Sequence, residues 1–214
     1  MLTELREEVL AMNLELPANR LVVWSGGNVS GRDAETGLIV IKPSGVPFAG
    51  LTVESLVVTD IDGNVVEGTM KPSVDLGIHL VIYRGRPDVR GICHTHSPYA
   101  TSFAVRGEAL PAALTPLVHM LGGNVPCTRY ATPGADDTGE AVLDAVGSTG
   151  KVALVQRHGL FSMGHSATES VKIALYTEEA AMTIRIAQIA GPVTEMDQVE
   201  IDRCANWYKQ NYGQ

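Results

Sequence analysis

Two of the six histidines in this 214-residue sequence, His94 and His96, are separated by a single threonine. Residues i and i+2 of a strand project from the same face. If Thr95 lies in a strand, both imidazoles can converge on one ion, and imidazole suits Zn²⁺ and other first-row metals. The same pattern also arises from two ordinary histidines at a strand end, so spacing alone leaves both readings open. His158 is a third candidate, in Arg157-His158-Gly159 just after the apolar run Val152-Ala153-Leu154-Val155. Strand ends and loops are where active sites are built. Three imidazoles with one open coordination position define a catalytic metal centre, whereas structural zinc is closed by four ligands. Position along the chain does not by itself bring His158 to the other two. His79 reads as a packed helical residue or a support for the site, His165 as a surface turn residue, and His119, near Gly122-Gly123, stays ambiguous.

The elements that must position these side chains follow from periodicity. Residues 3–16 have the spacing of an amphipathic helix with Leu5, Val9, Leu10 and Met12 on its buried face. A Gly-rich stretch, Ser25 to Gly31, comes next. Leu38-Ile39-Val40-Ile41 reads as a short strand running into the Lys42-Pro43-Ser44-Gly45 turn. Val57–Ile61 and Val65–Glu67 flank Asp62-Gly63-Asn64, a hairpin signal that points away from a pure Rossmann sheet. Ser73 to about Arg84 is helical, Val89 to Ser97 is a strand, and Pro98 opens another helix. Ser166 with Glu169 forms a capping-box pattern before a long helix to about Ala190. A last helix carries Ile201, Cys204 and Tyr208. With no internal repeat or linker, the expectation is one mixed α/β domain over 1–214, with helices covering a largely antiparallel sheet.

Composition narrows the function classes. The hydrophobic fraction is 45% and the charged fraction 19%, as in a globular chain. A formal net charge of -8 argues against a general nucleic-acid binder. No run of about 18 apolar residues marks a membrane span. Cys93, Cys127 and Cys204 form an odd, widely spaced set without a CxxC pair, which fits reduced thiols. The N-terminus lacks the basic-then-apolar pattern of a signal peptide, so the expected compartment is the cytoplasm.

Taken in order, Ser25-Gly26-Gly27-Asn28-Val29-Ser30, Lys42-Pro43-Ser44-Gly45, Lys71-Pro72-Ser73-Val74-Asp75, His94-Thr95-His96-Ser97 and His158-Gly159 resemble the motifs of the class II aldolase/adducin-like family. The similarity runs from the first helix to Tyr212-Gly213-Gln214. It implies an α/β/α domain, usually a homotetramer with active sites between neighbouring subunits. It also implies Zn²⁺, or another divalent transition metal such as Mn²⁺ or Co²⁺, held by His94, His96 and His158. Contacts to a sugar phosphate would come from Asn28, Lys42, Ser44, Gly45 and Ser73. Lys42 would supply charge, and the hydroxyls and Gly-rich backbone directional donors. Asp75 is similar to the family's epimerases, which place Asp where the aldolases place Glu, and the Tyr-Gly-Gln ending is similar to them too.

The resemblance therefore implies a metal-dependent L-ribulose-5-phosphate 4-epimerase that breaks and re-forms the C3–C4 bond, with Asp75 and Tyr212 as acid/base groups. A class II aldolase of the L-fuculose-1-phosphate type is the alternative, and a non-catalytic adducin-like interaction protein a third reading. Two positions depart from the epimerase pattern. Val74 stands where a second serine is expected, removing a hydroxyl from the inferred phosphate site. His119 stands where an acid/base aspartate is expected, and an imidazole could carry that proton instead. Gly122-Gly123-Asn124 and Arg129-Tyr130-Ala131-Thr132 look closer to the aldolases. No GxGxxG stretch supports a nicotinamide-dependent route.

Overall fold

The computed structural model describes residues 2–132 and 134–211. Its strands are β1 (Asn28–Arg32), β2 (Ile39–Ile41), β3 (Val57–Thr59), β4 (Val65–Glu67), β5 (Gly91–Thr95), β6 (Val152–Val155) and β7 (Gly159–Gly164). They form one sheet in the order β4-β3-β2-β1-β5-β7-β6, antiparallel at every pairing. The helices are α1 (Thr3–Ala18), α2 (Leu76–Gly85), α3 (Pro98–Arg106), α4 (Thr115–Leu121), α5 (Ala135–Val146), α6 (Ala167–Ala190) and α7 (Gln198–Asn211).

Strand alternation divides the core into two layers. Ile39, Ile41, Ile92, Ala153, Val155, Phe161 and Met163 face α2 and α5, where they pack with Ile82, Tyr83, Val142 and Val146. Val29, Val40, Cys93, Leu154 and Leu160 point the other way, against Val9 and Leu16 of α1, Phe103 of α3 and Ala174, Ala181 and Ile184 of α6. The α/β/α architecture is therefore written in a period of two along β2, β3, β5, β6 and β7. No helix among the described residues is long and apolar enough to cross a membrane.

The stripe buried by α1 differs from the expected one. Arg6, Val9, Asn13 and Leu16 are buried, while Leu5, Leu10 and Met12 are only partly covered. Two polar residues belong to the buried face because the sheet offers them backbone partners. Arg6 donates to the carbonyls of Val53 and Leu56 at 3.1 and 3.0 Å and pairs with Glu67 at 2.9 Å. Asn13 donates to Val29 O and accepts from Val29 N, at 3.1 and 3.0 Å, stitching α1 to β1.

Other boundaries shift for local reasons. α2 begins at Leu76, three residues after the expected start, because the segment before it is held against the Lys42 turn: Ser73 N donates to Lys42 O and Ser44 N to Lys71 O, each at 2.9 Å. β5 ends at Thr95, so His94 lies in the strand and His96 just beyond it. The hairpin forms as expected, with Asp60 accepting from the backbone of Asp62 and Asn64. Ser166 accepts from Glu169 N at 3.0 Å, but the Glu169 carboxylate turns to His165 N and Lys151 and leaves the box half made.

Candidate metal centre and active site

β5 and the β6–β7 turn deliver the three imidazoles. His94 is fully buried, stacked on Phe161 at 4.2 Å, and its Nδ1 lies 2.9 Å from Leu160 O. That carbonyl can only accept, so Nδ1 carries the proton and the Nε2 lone pair is left free. His96 turns its own Nε2 to within 3.0 Å of it. His158 completes the set, with ring centroids 4.8 Å from His94 and 5.1 Å from His96. One nitrogen from each ring lies within 4.8 Å of the others. Tetrahedral nitrogen ligands about 2.0–2.1 Å from a zinc ion sit a little over 3 Å apart, so small rotations close the gap. Two ring nitrogens 3.0 Å apart can share a proton or a cation, and three convergent neutral imidazoles are donor chemistry that fits a divalent metal. Burial, aided by the other two imidazoles and opposed by Asp75, pushes the His94 pKa down to about 3, and burial with His158 lowers that of His96. Lowered values favour the neutral, ligating form.

Two glycines let the rings meet. Any side chain at Gly159 would run into the Thr95 carbonyl and approach His96 Cδ2 to 3.0 Å. Gly27 has φ +74°, and a Cβ there would sit 2.7 Å from His94 O and 2.5 Å from Val22 Cγ1.

A cavity of about 320 Å³ opens beside the rings. Asn28, Lys42, Ser44, Gly45, Ser73 and Asp75, all singled out in the sequence, line it together with His96 and His158. Asn28 Nδ2 donates to Asp75 at 2.7 Å and lies 3.1 Å from Ser73 Oγ, while Asn28 Oδ1 is buried with no partner among the described residues. Lys42 is buried; Nζ donates to the carbonyls of Ser25 at 3.1 Å and Pro43 at 3.4 Å and sits 5.0 Å above the Phe48 ring. Desolvation lowers its pKa, and Asp75 partly offsets this. A buried ammonium whose hydrogen-bond partners among the described residues are neutral carbonyls leaves positive charge for an anion to meet.

Asp75 occupies the N-cap position of α2 but caps none of its N–H groups. Its carboxylate faces the cavity instead. Burial raises its pKa, but His94, His79, the Asn28 bond and His158 outweigh that, so the carboxyl ionises below its usual range. Val74 is 85% exposed and lies on the wall shared with a second cavity of about 500 Å³, reached past Asp75 and His158 and lined by Ile78, Tyr130, Val155 and Arg157.

His119 lies elsewhere within the chain. It stacks on Tyr208 at 5.0 Å, beside Trp207, and lines a separate cleft of about 290 Å³ between α4 and α7. Tyr212 lies outside the described residues. Sequence reasoning did not find that Ser30 and Tyr83 join His79 in a buried cluster directly behind Asp75. The signal was present in the spacing of Asp75, His79 and Tyr83, each one helical turn from the next.

Comparison with known proteins agrees with this geometry. Residues 7–184 match the family described as Class II Aldolase and Adducin N-terminal domain. An L-ribulose-5-phosphate 4-epimerase, UlaF, of Salmonella paratyphi B is 37% identical over 199 residues, covering 88% of this chain and 87% of that protein. An L-fuculose 1-phosphate aldolase structure superposes with a TM-score of 0.90 at 30% identity, covering 97% of both chains. The L-fuculose-1-phosphate aldolase of Thermus thermophilus superposes at 0.75 with 25% identity, over 88% of this chain and 98% of that one. With three imidazoles converging beside a polar cavity on an all-antiparallel sheet, the chain belongs to the class II aldolase and adducin family.

Proposed function

We propose that this chain is an L-ribulose-5-phosphate 4-epimerase that works by cleaving and re-forming the C3–C4 bond, and that 1–214 acts as one catalytic domain. The observation that carries this reading is the shared cavity: an ionised Asp75, a buried Lys42 and the His96 and His158 rings line one space, with His94 converging on those rings from behind. The 37% identity to the Salmonella paratyphi B epimerase supports the same substrate.

The hydrogen on C4 has no adjacent carbonyl to acidify it, so direct proton abstraction is a poor route to inversion. Breaking C3–C4 turns C4 into a planar aldehyde carbon that can be re-attacked on its other face. His94, His96 and His158 would hold Zn²⁺, or Mn²⁺ or Co²⁺, and a divalent cation there would supply Lewis-acid stabilisation to the negative charge that cleavage leaves behind. Lys42, Asn28, Ser44, Ser73 and the Gly45 backbone would bind the phosphate. Cleavage removes a proton from the C4 hydroxyl, and re-addition returns one. Asp75, ionised at rest, starts as a proton acceptor. Inversion presents the oxygen on two sides in turn, so a second group is needed, and Tyr212 or His119 would provide it.

His119 and the helix leading to Tyr212 lie together, away from the imidazoles of their own chain. This supports a homotetramer in which a neighbouring subunit brings both to the site. A cytoplasmic sugar-phosphate enzyme with no nucleic-acid or membrane partner is the accompanying reading.

An aldolase reading is favoured by the TM-score of 0.90 to the L-fuculose 1-phosphate aldolase. It differs in releasing the aldehyde before rotation and in carrying the phosphate on the enediolate fragment rather than on the aldehyde. Incubating the metal-loaded protein with L-ribulose 5-phosphate and, separately, L-fuculose 1-phosphate, with products identified by ¹³C NMR, tests the proposal. The expected result is the C4 epimer of ribulose 5-phosphate without free aldehyde. Net aldehyde from fuculose 1-phosphate and an unchanged pentulose would replace the epimerase by the aldolase.

A further inference from the structure

β1 and α2 meet through a ladder of polar side chains in an otherwise apolar layer. Asn28, Ser30 and Arg32 project from one face of β1, and Asp75, His79 and Tyr83 from one face of α2. Asn28 donates to Asp75 at 2.7 Å, Ser30 Oγ lies 2.7 Å from His79 Nδ1 and 2.8 Å from the Tyr83 hydroxyl, and Arg32 donates to Tyr83 O at 3.0 Å with its guanidinium 5.0 Å above the Tyr83 ring. The match is geometric. Two strand residues advance about 6.7 Å and four helical residues about 6 Å, so the rungs stay in step. Ser30, His79 and Tyr83 are all essentially sealed from solvent.

The direction of the bonds can be derived. The Tyr83 hydroxyl remains protonated, because burial raises its pKa. If Tyr83 donates to Ser30 and Ser30 donates to His79 Nδ1, every hydroxyl proton is used, and only His79 Nε2–H lacks a partner among the described residues. Reversing the chain strands the Tyr83 proton as well as the Nε2 lone pair. Letting Ser30 accept from both strands its own proton. The first arrangement leaves one buried polar group unpaired where each alternative leaves two, so it prevails. His79 N also donates to Asp75 O at 3.2 Å, placing the imidazole one turn along the face that bears the carboxylate. On the other side of β1, Asn28 stands in register opposite His94.

We infer that Tyr83, Ser30 and His79 form a directed hydrogen-bond chain, with His79 fixed as its Nε2–H tautomer, that positions the Asp75 carboxylate relative to the metal-binding strand. His79 is a positioning residue in this scheme and touches no substrate. The functional half of the inference rests on Asp75 carrying the proton, as proposed above. The tautomer does not.

The test combines ring ¹⁵N–¹H NMR with kinetics. Native protein at neutral pH should show a single Nε2–H tautomer for His79, and Tyr83→Phe should mix or reverse it. A native Nδ1–H signal would overturn the inference. His79→Leu, which removes the Ser30 partner at similar volume, should lower kcat by about 10- to 100-fold through misplacement of Asp75, with KM and metal stoichiometry unchanged. His79→Asn, whose amide can still meet Ser30, should recover most of the loss, and Ser30→Ala should follow the leucine variant. Ser30→Ala and Tyr83→Phe carry the test if His79→Leu does not fold. Native turnover in Ser30→Ala, or an Asn variant as impaired as the Leu variant, would sink the positioning role. Full turnover in Asp75→Asn would instead remove Asp75 as the proton carrier, and the NMR result would then judge the tautomer alone.

Discussion

Replacing Asp75 by Asn preserves the shape of the side chain that meets Asn28 at 2.7 Å while removing its charge. If Asp75 moves the proton, turnover should fall by about 10²- to 10⁴-fold, with one metal per chain still bound by elemental analysis. His96→Ala should instead lose the metal, since two imidazoles remain where three converge. Burial pushes His79 down to about 4, against about 6.5 in an unfolded chain. Between those values the unfolded chain takes up a proton that the folded one refuses. Stability from this group is therefore complete above about pH 6.5 and lost as the pH falls toward 4. Thermal melts across that window should show the decline, with a shallower slope in His79→Asn. At this scale the convergence of the three imidazoles was legible because histidines are few and three of them sit where strands end. The support behind Asp75 was not, because Ser30, His79 and Tyr83 reveal their purpose only when a strand and a helix lie side by side.

Among the elements, β1 shows how a strand can be hidden from pattern reading. Asn28-Val29-Ser30-Gly31-Arg32 lacks alternating apolar residues because one face bonds to α2 rather than packing in oil. Read alone, it looks like a glycine-rich loop, yet it lies at the centre of the sheet. β7 was obscured in a similar way by its terminal glycines and Ser162, and α4 and α5 by the glycines and prolines around them. The strands with β-branched runs, the hairpin and α6 were legible because their periods are clean. Asn13 holds α1 to β1 through both polar atoms of its amide. Asn13→Ala strands the Val29 N–H in the core and should cost about 1–3 kcal/mol in urea unfolding. Gly159→Ala should be worse for metal retention than for folding, since the added methyl pushes the Thr95 carbonyl and the His96 ring apart.

For the whole molecule, the decisive arrangement is that His119 and α7 stand away from the imidazoles of their own chain. If neighbouring subunits exchange these parts, two inactive variants can repair each other. Mixing Asp75→Asn with Tyr212→Phe after mild dissociation should regenerate a fraction of native turnover, because some mixed sites contain both intact groups. Absence of recovery in confirmed mixed oligomers would place the whole site in one chain. Antiparallel pairing was legible from the Asp62-Gly63-Asn64 hairpin, but strand order was not. It depends on β1 crossing to pair with β5, a contact between residues about sixty positions apart that no local window contains.

Val74 projects into solvent between the polar cradle and the larger cavity, and little of the core leans on it. Exchanging it should leave the scaffold and the imidazoles undisturbed. If that wall touches the substrate, diet and reaction are uncoupled: descendants of this chain can sample new ligands at one outward-facing position while inheriting the imidazole cluster intact.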